Sequence, residues 1–191
     1  MATEVLMSFS NAGMGSIFAT WLRRRIMTAK GLFDTRSVYM DNIAMREQGG
    51  TALTQDERFK ASDGGITLIG ASNEQWNAHY LEAMSQCKSM IVVATREWAA
   101  SKWCWQEFDQ AGAQAAARKQ GGGAFNRVAL QFPDTEIDTK AKFSAEGWKL
   151  IPVDKVVVGG TGAAGDFAEV KAHAGGWVIG ESDLQRLLKN I

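Results

Sequence analysis

One stretch of the chain decides the fold: Met90-Ile-Val-Val-Ala-Thr-Arg-Glu-Trp-Ala-Ala-Ser-Lys-Trp-Cys-Trp-Gln-Glu-Phe-Asp-Gln-Ala-Gly-Ala-Gln-Ala-Ala-Ala-Arg-Lys119. Its first part, Met90 to Thr95, is apolar and rich in β-branched residues, which predicts a strand buried on both faces. A brief polar turn follows, and Ser101 is then well placed to cap a helix that continues to about Lys119. The stretch therefore predicts a buried strand, a turn and a long helix.

The predicted helix carries two stripes. One stripe should pack on a sheet and consists of Cys104, Phe108, Ala111 and Ala115. Trp103 and Glu107 stand four residues apart, so they are neighbours on an adjacent stripe at the start of the helix. A carboxylate beside an indole, where a buried strand passes into a helix, is typical of a site in an open α/β sheet.

The composition indicates one folded globular domain. Of the 191 residues, 46% are hydrophobic, which is enough to build a full core. Lys and Arg together number 21, as do Asp and Glu, so no overall basic field recruits nucleic acid. We find no apolar run long enough to span a bilayer and no signal peptide, which predicts a cytoplasmic protein without a membrane partner.

The two cysteines, Cys87 and Cys104, lie on predicted helices beside apolar neighbours. Two cysteines are too few to stabilise a domain of this size through a disulfide framework, and no metal-ligand spacing accompanies them. We therefore expect reduced thiols in the core and no metal site.

The N-terminal half begins with a predicted strand, Val5 to Ser10, and a helix whose apolar residues recur from Ile17 to Ile26. Residues 23–25 of this helix are arginines and are expected on its solvated side. A second strand, Ser37 to Met40, closes on Asp41 and Asn42. The pattern from Ile43 to Gln75 is weak, and so long a connection is usually functional or mobile.

The remaining elements alternate in the same way. Predicted helices cover Trp76 to Lys88 and Asp183 to Asn190, with Leu184, Leu187 and Leu188 inward in the second. Arg127 to Phe132 is predicted as a fourth strand, and Asp134 to Lys149 as polar and irregular. A fifth strand is expected from the apolar runs 150–153 and 155–158.

Alternating strands and helices predict an α/β fold, a flavodoxin-like doubly wound parallel sheet of about five strands with helices on both faces. Right-handed crossovers place every strand-to-helix loop at the same edge of such a sheet. That edge gathers the polar ends of the strands: Ser8 to Asn11, Asp41, Asn42, Thr95, Arg96 and the start of the Trp103–Glu107 helix.

These residues resemble a TIR (Toll/interleukin-1 receptor) domain. Val5-Leu-Met-Ser-Phe-Ser10 is similar to the family's opening strand, and Val38-Tyr-Met-Asp41 to its second strand, which ends in Asp. Most specific is Ser101-Lys-Trp-Cys-Trp-Gln-Glu107, which resembles the Ser-x-Trp-Cys turn and the glutamate-bearing helix. The matches cover a motif-bearing core of about 1–135 in a single domain, 1–191, whose part 136–191 is divergent.

The resemblance implies one of two functions. Some TIR domains are NAD hydrolases or cyclases, and others are adaptors that signal only by assembling with each other. Glu107 stands where the enzymatic members need their glutamate. The chain also resembles the stand-alone bacterial kind in the Thoeris antiphage-defence system. That likeness implies a cyclic ADP-ribose messenger for a separate effector, a homo-oligomer built through TIR–TIR contacts, and no cofactor beyond NAD as substrate.

The chemistry of NAD cleavage suits a carboxylate at this position. The nicotinamide–ribose bond breaks to release a neutral pyridine, so no general acid is needed, and positive charge develops on the ribose. Glu107 would stabilise that charge, Trp103 would stack on an aromatic base, and Phe9 would supply the opposing wall. Ser10 and Asp41 would hydrogen-bond ribose or phosphate.

Alternatives remain open at this stage. A glutamate in the first turn of a helix often merely complements the helix dipole, but the Trp-Cys-x-x-Glu context favours catalysis. Attack by water gives ADP-ribose, and attack by an atom of the same nucleotide gives a cyclic isomer. A non-enzymatic interaction module would use the Ile43–Gln75 loop for homotypic assembly. A flavodoxin-like nucleotide-binding domain would hold a cofactor without turnover.

Overall fold

A parallel sheet lies at the centre of the structure, a computed structural model that describes residues 3–34, 36–40, 73–155 and 176–191. Its strands are β1 (Val5–Ser8), β2 (Val38–Tyr39), β3 (Ser89–Ala94), β4 (Asn126–Gln131) and β5 (Lys149–Pro152). They lie in the order β2-β1-β3-β4-β5, each parallel to its neighbours. This flavodoxin-like order confirms the predicted fold class.

Helices cover both faces of the sheet. In the described ranges they are α1 (Gly15–Lys30), α2 (Asn73–Gln86), α3 (Arg96–Ala100), α4 (Lys102–Gln120), α5 (Ile137–Ala145) and α6 (Glu181–Lys189). Because side chains alternate along a strand, Val5 and Met7 join one core with residues of α1 and α6. Leu6 joins the other core, with residues of α2, α3, α4 and α5.

Helix α1 shows why its sequence makes a helix and where the prediction was wrong. Phe18, Leu22 and Ile26 recur at helical spacing and are completely buried. The helix ends at Gly31, whose φ of 63° lies in the left-handed region that glycine adopts most readily. Arg23 was expected on the solvated side but is buried, and its Nε donates to the backbone oxygen of Val38, 2.9 Å away, so this donor has an acceptor inside the protein.

Helix α4 follows the prediction. Ser101 is its N-cap, and the Ser101 hydroxyl accepts a hydrogen bond from the backbone N–H of Cys104 at 3.4 Å. Its sheet-facing stripe is the predicted one: Cys104, Phe108 and Ala111 are buried and Ala115 is partly buried. The long helix is thereby fixed both at its first turn and along one face.

Two parts of the C-terminal region differ from the prediction. The segment 134–149 was expected to be irregular, but it contains α5, in which Phe143 and Thr139 are buried while Ile137 and most of the polar residues are exposed. After β5 the chain leaves the main sheet, and β6 (Asp154–Lys155) pairs antiparallel with β7 (Trp177–Val178). Helix α6 confirms the closing helix, with Leu188 only partly buried.

Several predictions concern residues outside the described ranges. These are Asp41, Asn42, the connection 43–72 with its expected extra strand at 66–69, and the run 156–158. Among the helices that the structure does describe, none is both long and apolar enough to cross a membrane.

Candidate active site at the carboxyl edge of the sheet

The site is built where β1 and β3 end. The two strands are parallel neighbours, and Ser8, the last residue of β1, pairs in register with Val92 of β3. The chain leaves β3 at Ala94 and enters α3 and then α4, so the starts of both helices return to the same edge as Ser8. The part of the predicted edge that β1, β3 and the starts of α3 and α4 contribute is therefore formed.

Glu107 lies inside the protein at this edge. Only 5% of its surface is exposed, although a glutamate early in a helix is ordinarily solvated. It directly precedes Phe108 and follows Cys104 by three residues, so it shares the side of α4 that packs on the sheet. A carboxylate in such a place needs hydrogen-bond donors.

Ser8 supplies one of those donors. Its hydroxyl donates a hydrogen bond to Oε2 of Glu107, and the two residues are 99 positions apart in the chain. The indole Nε1 of Trp98 donates to the same Ser8 hydroxyl oxygen, at 2.8 Å. An indole N–H can only donate, so Ser8 must accept from Trp98, and its own proton remains for the carboxylate. The direction of the chain of hydrogen bonds, from Trp98 through Ser8 to Glu107, is set by this chemistry.

Trp98 is fixed at both its backbone and its ring. Thr95 caps α3, and its hydroxyl accepts from the backbone N–H of Trp98 at 3.2 Å. The Trp98 ring is completely buried and lies 5.0 Å from the ring of Trp105 and 5.3 Å from that of Phe143, centroid to centroid. The indole that orients Ser8 is thus held in an aromatic layer between the sheet and the helices.

The other predicted site residues that the structure describes differ in burial and in the contacts that they make. Phe9 is partly buried and packs with the core on the α1 face, whereas Ser8 points to the α4 face. Ser10 is buried, and its hydroxyl accepts from the backbone N–H of Ala12 at 3.2 Å, in the turn before α1. Trp103 is 43% exposed at the start of α4. Asp41 lies outside the described residues.

A second carboxylate, that of Glu97 on α3, lies against the turn between β1 and α1. Gly13 has a φ of 68°, and a Cβ built there would lie 2.8 Å from Cδ of Glu97. Glycine at this position therefore permits both the left-handed backbone and the close approach of Glu97. Glu97 is partly buried in the first turn of α3.

Sequence reasoning did not assign Ser8 or Trp98 to the site. Ser8 was placed at the correct edge, and its polarity at the end of an apolar strand was a signal that it faces a polar partner. Trp98 received no role in the predicted site. Nothing in its local sequence shows that its N–H points at β1, because that contact joins residues 90 positions apart.

The two thiols are not part of the chemistry described. Cys87 is completely buried, and burial raises the pKa of its thiol to about 12, with Arg118 opposing the shift. A thiol with so high a pKa stays protonated and unreactive at neutral pH. Across the ranges that are described, no three or more His, Cys, Asp or Glu side chains come together as metal ligands would.

A groove of about 320 Å³ lies elsewhere, between α1 and α6. Trp21 and Leu184 form part of its lining, with Arg24, Arg25 and Glu181 also contributing. Glu107 does not line it, so this groove is separate from the carboxylate described above.

Comparison with known proteins does not extend these observations: no protein-family model, no curated protein and no solved structure matches the chain.

Proposed function

We propose that this chain is an enzyme that cleaves NAD at the nicotinamide–ribose bond, with Glu107 as its essential group. One observation carries the proposal: a buried carboxylate is held by a hydroxyl donor at the carboxyl edge of a doubly wound parallel sheet. In open α/β folds ligands bind at that edge. Burying a carboxylate is costly, and sites that use the charge are one class of place where proteins keep one.

The main catalytic requirement of this reaction is a fixed negative charge beside the ribose. Nicotinamide leaves as a neutral molecule, so its departure needs no proton donor. The ribose carbon that it leaves becomes electron-poor, and a carboxylate beside that carbon stabilises the transition state more than the ground state. The low exposure of Glu107 strengthens this attraction, because little water is present to screen it.

The resemblance to TIR domains supports the same proposal and specifies it further. It implies a cytoplasmic protein of the stand-alone bacterial antiphage type, which makes ADP-ribose or a cyclic isomer and works as a homo-oligomer. We assign stacking on a base to Trp103, which is 43% exposed at the start of α4. Phe9, Ser10 and Asp41 are the remaining substrate contacts that the resemblance implies.

The test uses the full chain at high concentration with NAD, and chromatography separates the products. Glu107→Gln keeps the size and hydrogen-bonding oxygen of the side chain but removes its charge. Asp109→Asn is the matched control, since Asp109 is an exposed acid two residues further along the same helix. We expect nicotinamide release by the wild type and by Asp109→Asn, and a loss of at least about 100-fold in Glu107→Gln. Equal rates in all three proteins would overturn the proposal.

A homotypic interaction module is the second candidate, and a specific observation favours it. Met14 after β1, Trp103 after β3 and Ile137 after β4 are exposed by 39%, 43% and 82%. All three stand at the carboxyl edge, and large exposed apolar side chains on one edge favour association. A wild-type protein that releases no nicotinamide, and whose concentration-dependent light scattering is lost in Ile137→Asp, would support this module instead.

A further inference from the structure

We infer that Ser8 is a positioning residue for Glu107, and that Trp98 fixes the direction in which the Ser8 hydroxyl donates. The inference rests on the proposed function and deepens it, since it assigns the groups that hold the reacting carboxylate. Its basis is the hydrogen-bonded chain from Trp98 Nε1 through Ser8 Oγ to Glu107 Oε2.

A serine hydroxyl alone is a poor positioning group, because it rotates and can donate in several directions. Here the rotation is restricted. Trp98 occupies one lone pair of the hydroxyl oxygen, at 2.8 Å, and it cannot take the proton in return. The hydroxyl proton is consequently available to the carboxylate in one fixed direction.

Because Ser8 and Trp98 are buried, their hydrogen bonds are made to each other and to Glu107 and not to water. Ser8 is 1% exposed and Trp98 is completely buried, so water does not compete for either donor. The Ser8 backbone is paired with Val92 of β3, and Trp98 is held by the Thr95 cap and by two aromatic rings. The Ser8 backbone and the Trp98 ring are therefore each held by the surrounding structure.

Positioning matters because the glutamate side chain has three rotatable bonds and the transition state needs its charge at one place. A carboxylate that accepts a hydrogen bond from a fixed donor retains a defined orientation at the moment when charge develops on the ribose. Loss of the Ser8 hydroxyl should leave substrate binding intact and slow the chemical step. This pattern separates positioning from a general weakening of the fold.

The experiment measures kcat and KM for nicotinamide release by the wild type, Ser8→Ala, Ser8→Thr and Trp98→Phe. We expect Ser8→Ala to lower kcat about 10- to 100-fold, as expected when an oriented group is loosened, with KM within about 3-fold of the wild type. Ser8→Thr keeps the hydroxyl and should recover most of the lost kcat. Trp98→Phe keeps the aromatic body without the N–H and should lower kcat in the same sense.

Ser89→Ala is the matched control. Ser89 is also a completely buried serine of the sheet, but it stands at the first residue of β3, at the opposite edge. It should leave kcat unchanged, and circular dichroism should show that all variants are folded. If any Ser8 variant is unfolded, Trp98→Phe still tests the chain of hydrogen bonds from its other end.

The outcomes distinguish this inference from the proposed function. If the wild type cleaves NAD and both Ser8→Ala and Trp98→Phe keep the full kcat, the positioning role is overturned and the proposed enzymatic function is not. A Ser8→Thr protein as stable as the wild type whose kcat is no higher than that of Ser8→Ala would also overturn it, because the hydroxyl would then not be the group responsible. A wild type without turnover would overturn both.

Discussion

The indole Nε1 of Trp98 lies 2.8 Å from the hydroxyl oxygen of Ser8, and the two residues are 90 positions apart in the sequence. This contact joins α3 to the end of β1, and the Ser8 hydroxyl in turn reaches Glu107 on α4. Three separate elements thus meet in one hydrogen-bonded chain at the carboxyl edge. The stability of the edge and the proposed chemistry depend on the same few atoms.

Substitution of Glu107 should reveal the energetic cost of its burial. Glu107→Ala removes the acceptor and leaves the buried Ser8 hydroxyl unsatisfied, which costs about 1–3 kcal/mol in the free energy of unfolding. Glu107→Gln keeps an acceptor oxygen without a buried charge, so we expect its stability to lie within about 1 kcal/mol of the wild type or above it. Urea denaturation followed by fluorescence measures both differences.

The control for this comparison is Gln106→Ala, an exposed neighbour on α4 that should change stability by less than about 0.5 kcal/mol. Equal losses in Glu107→Ala and Glu107→Gln would contradict the argument. In that case the charge itself, and not the hydrogen bond, would stabilise the fold.

The turn before α1 should depend on glycine at position 13 for two separable reasons. Gly13 and Gly31 have φ values of 68° and 63°, so alanine at either position is strained by about 1–2 kcal/mol. At Gly31 a Cβ meets nothing within 4 Å, whereas at Gly13 it lies 2.8 Å from the Glu97 side chain. Gly13→Ala should therefore cost about 0.5–1.5 kcal/mol more than Gly31→Ala, because Glu97 must leave its preferred conformation.

A double variant isolates the second reason. Glu97→Ala removes the atoms that the new Cβ would meet, so the extra cost of Gly13→Ala should disappear in that background. Thermal or urea unfolding of the four proteins gives the comparison. An extra cost that persists without the Glu97 side chain would mean that the backbone, and not this contact, makes Gly13 necessary.

The sequence predicted those parts of the fold that depend on local patterns. The apolar run at Met90, the Ser101 cap and the stripe of Cys104, Phe108 and Ala111 each specify their element within a few residues. Helix α5 was missed because only one large apolar residue, Phe143, turns inward, so its periodicity is weak.

The candidate site was predictable in position but not in detail. Parallel topology places the carboxyl ends of β1 and β3 together, and this was enough to locate Glu107 at the right edge. The burial of Glu107 and its hydrogen bond to Ser8 depend on how closely α4 packs against the end of β1. Spacing along the chain carries no information about that distance.

The buried thiol of Cys87 should make stability fall in alkaline solution. Burial raises the pKa of this thiol from 9.0 to about 12, so above pH 9 the unfolded chain loses the proton while the folded protein keeps it. The contribution of the protonated Cys87 thiol to the free energy of unfolding is therefore fully present below pH 9. It declines by about 1.4 kcal/mol per pH unit as the pH rises towards 12. Urea denaturation of the wild type and Cys87→Ala between pH 8 and 11 measures this slope.

Cys87→Ala is expected to be less stable than the wild type at pH 8, because it removes a completely buried side chain. That deficit should shrink at each step above pH 9, since the variant lacks the ionising group. Parallel stability curves for the two proteins over this range would contradict the prediction.

Phe143 should be the most sensitive single position in the aromatic layer that supports Trp98. Its ring centroid lies 5.3 Å from that of Trp98 and 5.2 Å from those of Phe108 and Trp148, and the residue is completely buried. Phe143→Ala should lower the free energy of unfolding by about 3–5 kcal/mol, because it removes a large side chain and leaves a cavity. Urea denaturation compares it with Phe33→Ala, whose 91% exposed ring should matter by less than about 0.5 kcal/mol.

Phe143→Leu tests whether the layer acts on the site as well as on the fold. Leucine refills most of the volume, so stability should recover to within about 1–2 kcal/mol of the wild type. The Trp98 ring would then lose an aromatic neighbour, while both partners of its hydrogen bond to Ser8 are retained. If this variant releases nicotinamide with a lowered kcat and an unchanged KM, α5 contributes to holding the carboxylate through Trp98 and Ser8. If its kcat equals that of the wild type, the Thr95 cap and Trp105 are sufficient to hold Trp98. Phe143 then contributes to the stability of the core and not to catalysis.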